Sequence, residues 1–347
     1  MKFESKFGHS IGEYPGYWEF YNQQRAGAIP ATEITQTDLR DPVGFYSFAK
    51  DAFEYSMMMD FIHQNRVKSQ WRHALDIGGM EGTVSRLLKS NGHSETVDCV
   101  DIHDYSVQLP DQLYKEFVHK HKIYRRFRKS HVLHNFPQHF DYQPSKSSTL
   151  NKINLGTDNN IDNYFVRSFY DLEVKYKYEY VSALLCMPYF ELEKFFKKLS
   201  ELIEMNGLFF FTSDYWWGQC NSTGLVGGIP WGIQRLTPDD FLRYFSQRHP
   251  EINQNLISKR YSYYHEGKQR PTLSDYVSIA GKHGFSLIAA KRHFGDQIDN
   301  ERIFVTPDDL AKFEPLENIL RDIKHIREGV CELDIKTSFL TCLFVKA

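Results

Sequence analysis

Residues Leu75 to Gly82 read Leu-Asp-Ile-Gly-Gly-Met-Glu-Gly. Glycines at 78, 79 and 82, directly after a short apolar stretch, suit a backbone that must turn tightly and come close to a ligand. Asp101 closes the next apolar stretch, Thr96 to Asp101. A carboxylate at the tip of a second strand can accept both hydroxyl hydrogens of a ribose. The two features together point to an adenosine-containing ligand at the carboxyl edge of a sheet. The competing reading is an ordinary strand–helix connection, with Asp101 a helix cap or a solvated strand end. The occurrence of both features in order favours the ligand.

The loop chemistry narrows the choice of ligand. A dinucleotide loop of the form G-x-G-x-x-G needs glycine where Met80 and Thr83 stand. Glu81 falls at the expected helix start, where a pyrophosphate wants positive potential. S-adenosyl-L-methionine carries a sulfonium and an ammonium and no phosphate. Asp76 and Glu81 therefore favour it over a nicotinamide dinucleotide.

These residues need elements to position them. Ala74–Ile77 reads as a strand, Glu81–Ser90 as a helix closed by Asn91-Gly92, and Thr96–Asp101 as a second strand. That is a β-α-β unit, the start of a parallel sheet. Residues 104–162 interrupt the rhythm with a basic, His-containing stretch and a polar run. Alternation resumes with strands expected at Tyr164–Phe169, Tyr178–Leu185 and Leu208–Thr212, and a helix over Glu191–Glu204 stopped by Asn206-Gly207. Thr237-Pro-Asp-Asp240 predicts a helix with an N-cap Thr and Pro in its first turn. Pro271–Asp275 and Thr306–Asp309 open two more. Phe285–Phe294 and Ser338–Lys346 are the final strands. Upstream, Gly12–Pro42 reads as loops and Phe45–Ile62 as a helix.

With these motifs in order, the chain resembles the class I S-adenosylmethionine-dependent methyltransferases. That family's first motif is an acidic residue followed by G-x-G-x-G. Asp76, Gly78 and Gly82 match it, and Met80 replaces the middle glycine, which bears on the loop's conformation rather than on the fold. Asp101 matches the ribose-binding acid. Ser168-Phe-Tyr-Asp171 is similar to the segment after the third strand, whose acid contacts the adenine amino group. Tyr180–Met187 resembles the fourth strand and its cofactor-facing end. The resemblance covers residues 72–103, 163–214, 272–294 and 338–346. It implies an α/β fold with a Rossmann-like, seven-stranded, mostly parallel sheet and helices on both faces. It also implies a methyltransferase using S-adenosyl-L-methionine, held by Asp76, Gly78, Gly79, Met80, Gly82, Asp101, Ile102, Tyr170, Asp171 and Cys186. Asp171 reads equally well as a strand end.

The implied reaction is in-line methyl transfer to a nucleophile, which chiefly needs alignment and removal of water. A hydroxyl acceptor also needs a base. Candidates after the strands are His103 and Asp104, then Asp214 and Tyr215. Asp214-Tyr-Trp-Trp217 would orient an acceptor with its acid and wall it with Trp216 and Trp217, joined by Trp231; the competing reading is core aromatics beside a capping Asp. The expected acceptor is a small molecule or a glycan. Cys186-Met-Pro-Tyr189 resembles the N-P-P-Y motif of amino-group methyltransferases, but Cys186 replaces its amide, and a helix lead-in is the better reading.

Composition sets the outer bounds. The 347 residues carry 42 Lys plus Arg against 44 Asp plus Glu, which excludes a global polycation but not a local basic patch. Such a patch runs over 115–129, with Phe117, Tyr124 and Phe127 among its charges. It supports the alternative of a nucleic-acid methyltransferase, against the plainer reading of a solvated face. A non-catalytic binding relative is the third alternative. His119, His121, His131, His134 and His139 lack acidic or Cys partners at ligand spacing, so no metal is expected. Five scattered cysteines without C-x-x-C argue against a disulfide framework. No apolar run reaches the ~20 residues of a membrane span, and a cytoplasmic protein is expected. The expected organisation is an N-terminal segment, 1–70, and a methyltransferase domain, 71–347, with insertions near 104–162, 215–283 (an acceptor lid) and 295–335.

Overall fold

The structure is a computed structural model. It describes residues 2–12, 45–80, 82–104, 161–173, 176–215, 229–248, 270–294 and 314–347, with short pieces between 250 and 258 and at 297–298 and 304–305. In chain order the elements begin with β1 (Lys2–Glu4), β2 (Ser10–Gly12), α1 (Phe45–Gln64), β3 (Trp71–Ile77), α2 (Thr83–Ser90) and β4 (Ser94–Asp101). Then come β5 (Asn163–Val166), β6 (Tyr178–Leu184), α3 (Leu192–Leu202), β7 (Ile203–Asp214), α4 (Gly232–Arg235), α5 (Pro238–Arg248) and α6 (Leu273–Lys282). The chain closes with β8 (Phe285–His293), β9 (Gln297–Ile298), β10 (Phe304–Val305), α7 (Leu316–Ile326), α8 (Glu332–Lys336) and β11 (Phe339–Lys346). It divides into two compact units. One comprises Met1–Ala31, Asp214–Thr272 and Arg292–Phe339; the other comprises Thr32–Ser213, Leu273–Lys291 and Leu340–Ala347.

The second unit carries the main sheet, apart from terminal residues of β7, β8 and β11. Its seven strands run β5-β4-β3-β6-β7-β11-β8. The pairs β3–β4, β3–β6, β4–β5 and β6–β7 are parallel. Backbone bonds join Ser338 N–H to the His293 carbonyl and Ala347 N–H to the Gly284 carbonyl, opposite ends of β11 and β8, so that pair is antiparallel. This is the expected mostly parallel sheet. Its five parallel strands follow the doubly wound order, with the chain reversing direction across the sheet between β3 and β6.

Burial on both sides explains the near-continuous apolar reading of the central strands. Phe209, Phe210 and Phe211 of β7 are fully buried. Successive strand residues face opposite ways. Phe210 meets Phe61 of α1, whereas Phe209 meets Phe195 and Phe196 of α3. Helices therefore cover both faces of the sheet, as expected.

Several element boundaries shift from the sequence reading, most of all around α3 and β7. The helix expected to reach Glu204 stops at Leu202, and β7 begins at Ile203 rather than Leu208. The cause is a register shift between Tyr178 and Tyr180 of β6, which pair with Ile203 and Leu208. Asn206 takes a left-handed φ of 63° there. A Cβ on Gly207 would lie 2.9 Å from the Glu204 carbonyl and 3.1 Å from that of Tyr178. The Asn-Gly pair marks a bulge inside a strand. The third strand also ends at Val166, and Phe169–Asp171 forms a 3-10 turn instead.

In the first unit β1 and β2 form an antiparallel hairpin, Lys2 opposite Gly12, and β9 pairs with β10. The expected start of α5 is present. The Thr237 hydroxyl accepts from Asp240 N–H at 3.3 Å, and Pro238 opens the helix. The segment from Thr306 to Asp309 lies outside the described residues; the described helix downstream of it is α7.

Candidate functional site

β3 ends at Ile77, and the chain turns at once. In open α/β sheets, ligands bind beyond the carboxyl ends of strands where the winding reverses. The turn after β3 occupies that place, with β4 on one side and β6 on the other. Gly78, Met80 and Gly82 all have left-handed φ, at 66°, 46° and 76°. Gly78 N–H donates to the Val100 carbonyl at 2.8 Å, and Gly82 N–H to that of Gly79 at 2.7 Å. Side chains would not fit at Gly78 or Gly79. A Cβ on Gly78 would lie 2.9 Å from Cβ of Cys186, and one on Gly79 would lie 2.6 Å from Sγ of Cys99.

Asp76 lies beneath the turn and is 1% exposed. Ser85 of α2 donates to Oδ2 at 3.0 Å, and Ser182 of β6 donates to Oδ1 at 2.8 Å. Burial pushes its carboxyl up to about 6, and the two serine hydroxyls restrain the rise. The turn thus covers an acid poised near neutrality, which suits a cation above it and opposes a phosphate.

Asp101 closes β4 and is nearly buried. Its Oδ2 accepts from Met80 N–H at 3.2 Å and its Oδ1 from His103 N–H at 3.0 Å. Each carboxylate oxygen retains capacity for one more donor, so a ribose hydroxyl can still bind. Met80 and Ile102 are exposed apolar side chains flanking it, at 39% and 66%, and Val166 at the end of β5 is another. The structure gathers Asp76, Gly78, Gly79, Met80, Gly82, Asp101, Ile102 and Cys186 around the ends of β3, β4 and β6. Cys186 donates its thiol to the Ile77 carbonyl at 3.3 Å, and burial raises its pKa. Tyr170 and Asp171 sit on the 3-10 turn after β5. The Tyr170 hydroxyl donates to the Glu191 carbonyl at 3.4 Å, and Asp171 is exposed.

Of the acceptor candidates, His103 and Asp104 are exposed after β4. Asp214 is the last residue of β7. Tyr215 and Trp231 are instead buried within the first unit. The Tyr215 hydroxyl bonds Asp334 at 2.6 Å, and the Trp231 indole donates to the Ile335 carbonyl at 3.1 Å with no ring surface exposed. In this structure both rings are spent on packing, the plainer of the two readings of that aromatic cluster. Glu81, Trp216, Trp217 and the basic stretch 115–129 with its histidines lie outside the described residues. Among the described residues no group of His, Cys, Asp or Glu is arranged to hold a metal ion, and no helix is long and apolar enough to cross a membrane.

Sequence reasoning missed four residues. Ser85 and Ser182 bond Asp76, Cys99 underlies Gly79, and the Tyr164 hydroxyl donates to the Met80 carbonyl at 2.6 Å. Strand register exposes three of them, since Asp76 pairs with Cys99 and with Ser182, and Cys99 pairs with Tyr164; Ser85 reaches Asp76 from α2.

No family model matches the chain, and no curated protein matches it. Solved structures do. An S-adenosylmethionine-dependent methyltransferase from Mesorhizobium loti is 12% identical, with 82% of this chain and 96% of that one covered, at a TM-score of 0.40. The N-methyltransferase NodS from Bradyrhizobium japonicum WM9, in complex with S-adenosyl-L-homocysteine, is 8% identical over 94% and 98%, at 0.37. The geranyl diphosphate C-methyltransferase from Streptomyces coelicolor A3(2) is 10% identical over 85% and 75%, at 0.39. Likeness at this level assigns no activity and no acceptor to the chain.

Proposed function

We propose that the protein transfers a methyl group from S-adenosyl-L-methionine to a small-molecule or glycan hydroxyl. One observation carries this reading. The left-handed glycine turn sits where the winding of the sheet reverses, over a buried acid and bonded to the carboxylate that ends the next strand. The residues fit that donor. Gly78 and Gly79 leave no room for a Cβ, Asp76 favours a cation, and Asp101 offers acceptors to a ribose. Met80 and Ile102 provide apolar surface for a base.

When bound, the donor supplies an electrophilic methyl on a sulfonium, a good leaving group. The chain's work is then to orient the acceptor, exclude water and take its proton. For the base we keep His103, after β4, and Asp214, at the end of β7. Transfer of labelled methyl from the donor to a panel of hydroxyl compounds tests the reading. Product is expected with the intact protein and is reduced by His103→Ala or Asp214→Asn, whichever removes the base. Donor binding without transfer to any acceptor class would favour a binding protein.

A further inference from the structure

Met80 is a side-chain-bearing residue at a φ of 46°, within the region that favours glycine. Such strain persists only where neighbours over-determine it, and it collects at functional sites. Both peptide groups of Met80 are held. Its N–H donates to Asp101 Oδ2 at 3.2 Å, and its carbonyl accepts from the Tyr164 hydroxyl at 2.6 Å. The same hydroxyl lies 3.5 Å from the His103 carbonyl, in the loop after β4. Tyr164 stands on β5, opposite Cys99 of β4.

We infer that Tyr164 is a positioning residue whose hydroxyl holds Met80 in the left-handed conformation and so keeps the turn ready for an adenosine-containing ligand. This rests on the function proposed above. Without the clamp, Met80 relaxes to an ordinary backbone conformation in part of the population, and apparent affinity falls by the competent fraction. The phenol ring is not the agent; the bond from its hydroxyl to the Met80 carbonyl is. Glycine at position 80 adopts the left-handed conformation without penalty, so it makes the clamp largely dispensable.

The test is a double-mutant cycle on the full chain, read by calorimetric titration with S-adenosyl-L-homocysteine and by amide hydrogen exchange over residues 77–84. Tyr164→Phe is expected to weaken binding about fivefold, the scale of one hydrogen bond, and to speed exchange of the turn amides with or without ligand. In the Met80→Gly background the same substitution should change affinity by less than about twofold. Equal losses in both backgrounds would overturn the inference, since Tyr164 would then act directly on the ligand. Unchanged exchange in Tyr164→Phe would also overturn it. If the unmodified protein ignores S-adenosyl-L-homocysteine, the proposed function fails, and the exchange measurement still decides the clamp.

Discussion

Asp76 and Ser182 face each other across the parallel strands β3 and β6, and the serine hydroxyl donates to the carboxylate at 2.8 Å. Burial raises the Asp76 carboxyl from 3.8 to about 6, so the folded protein holds this proton more tightly than the unfolded chain does. The group's contribution to stability is then full below pH 3.8 and lost as pH rises through about 6. The span corresponds to roughly 3 kcal/mol. Denaturation of the intact protein and of Asp76→Asn between pH 4 and 7.5 should show their stability difference drifting by about that amount, with the intact protein losing ground as pH rises. Parallel curves would contradict a raised Asp76.

The same ionisation bears on the ligand. A cation above the turn is favoured by the charged form of Asp76, so affinity for S-adenosyl-L-homocysteine, which keeps the ammonium, should rise between pH 5 and 7. Asp76→Asn should flatten that profile. Calorimetry across the range checks it.

Gly79→Ala places a Cβ 2.6 Å from Cys99 Sγ and 2.7 Å from Asp76 Oδ2. Neither neighbour can swing away freely, because Cys99 is fully buried and Asp76 is bonded on both oxygens. Overpacking of this kind costs about 1–3 kcal/mol. The substitution should lower the denaturation midpoint and also weaken S-adenosyl-L-homocysteine binding.

Arg235 tests the first unit. Its guanidinium is fully buried and bonds Asp322 at 2.6 Å and Glu314 at 2.6 Å. Asp322 also meets His9 at 2.5 Å. Removing the cation strips Glu314 and Asp322 of their buried guanidinium partner and leaves Asp322 to His9 and the half-exposed Arg321 at 3.3 Å, at a cost of about 3–5 kcal/mol. Arg235→Ala should destabilise strongly, whereas Arg235→Ala with Asp322→Asn should recover part of the loss in a double-mutant cycle. Additive losses would mean the pair does not couple.

The sheet was readable because its signals are local. Apolar runs located β3, which meets glycine at 78, β4, which ends in Asp101, and β6, and Thr237-Pro238 located the start of α5. The turn from Gly78 to Gly82 and Asp101 were legible for the same reason. What escaped depends on register. Nothing near Tyr164 in the chain says that its hydroxyl reaches Met80, 84 residues earlier. Likewise Asn206-Gly207 reads as a helix stop, and only pairing of Tyr178 with Ile203 turns it into a bulge. Tyr215 and Trp231 were ambiguous because an aromatic cluster has the same composition whether it lines a pocket or packs a core.

The most direct test is titration of S-adenosyl-L-homocysteine into the intact protein and into Asp101→Ala. Saturable uptake by the first, weakened at least about tenfold in the second, is the predicted result, the scale of lost hydrogen bonds to a charged group. Undiminished affinity in the variant, or uptake of a nicotinamide dinucleotide in place of the sulfur ligand, would contradict the account.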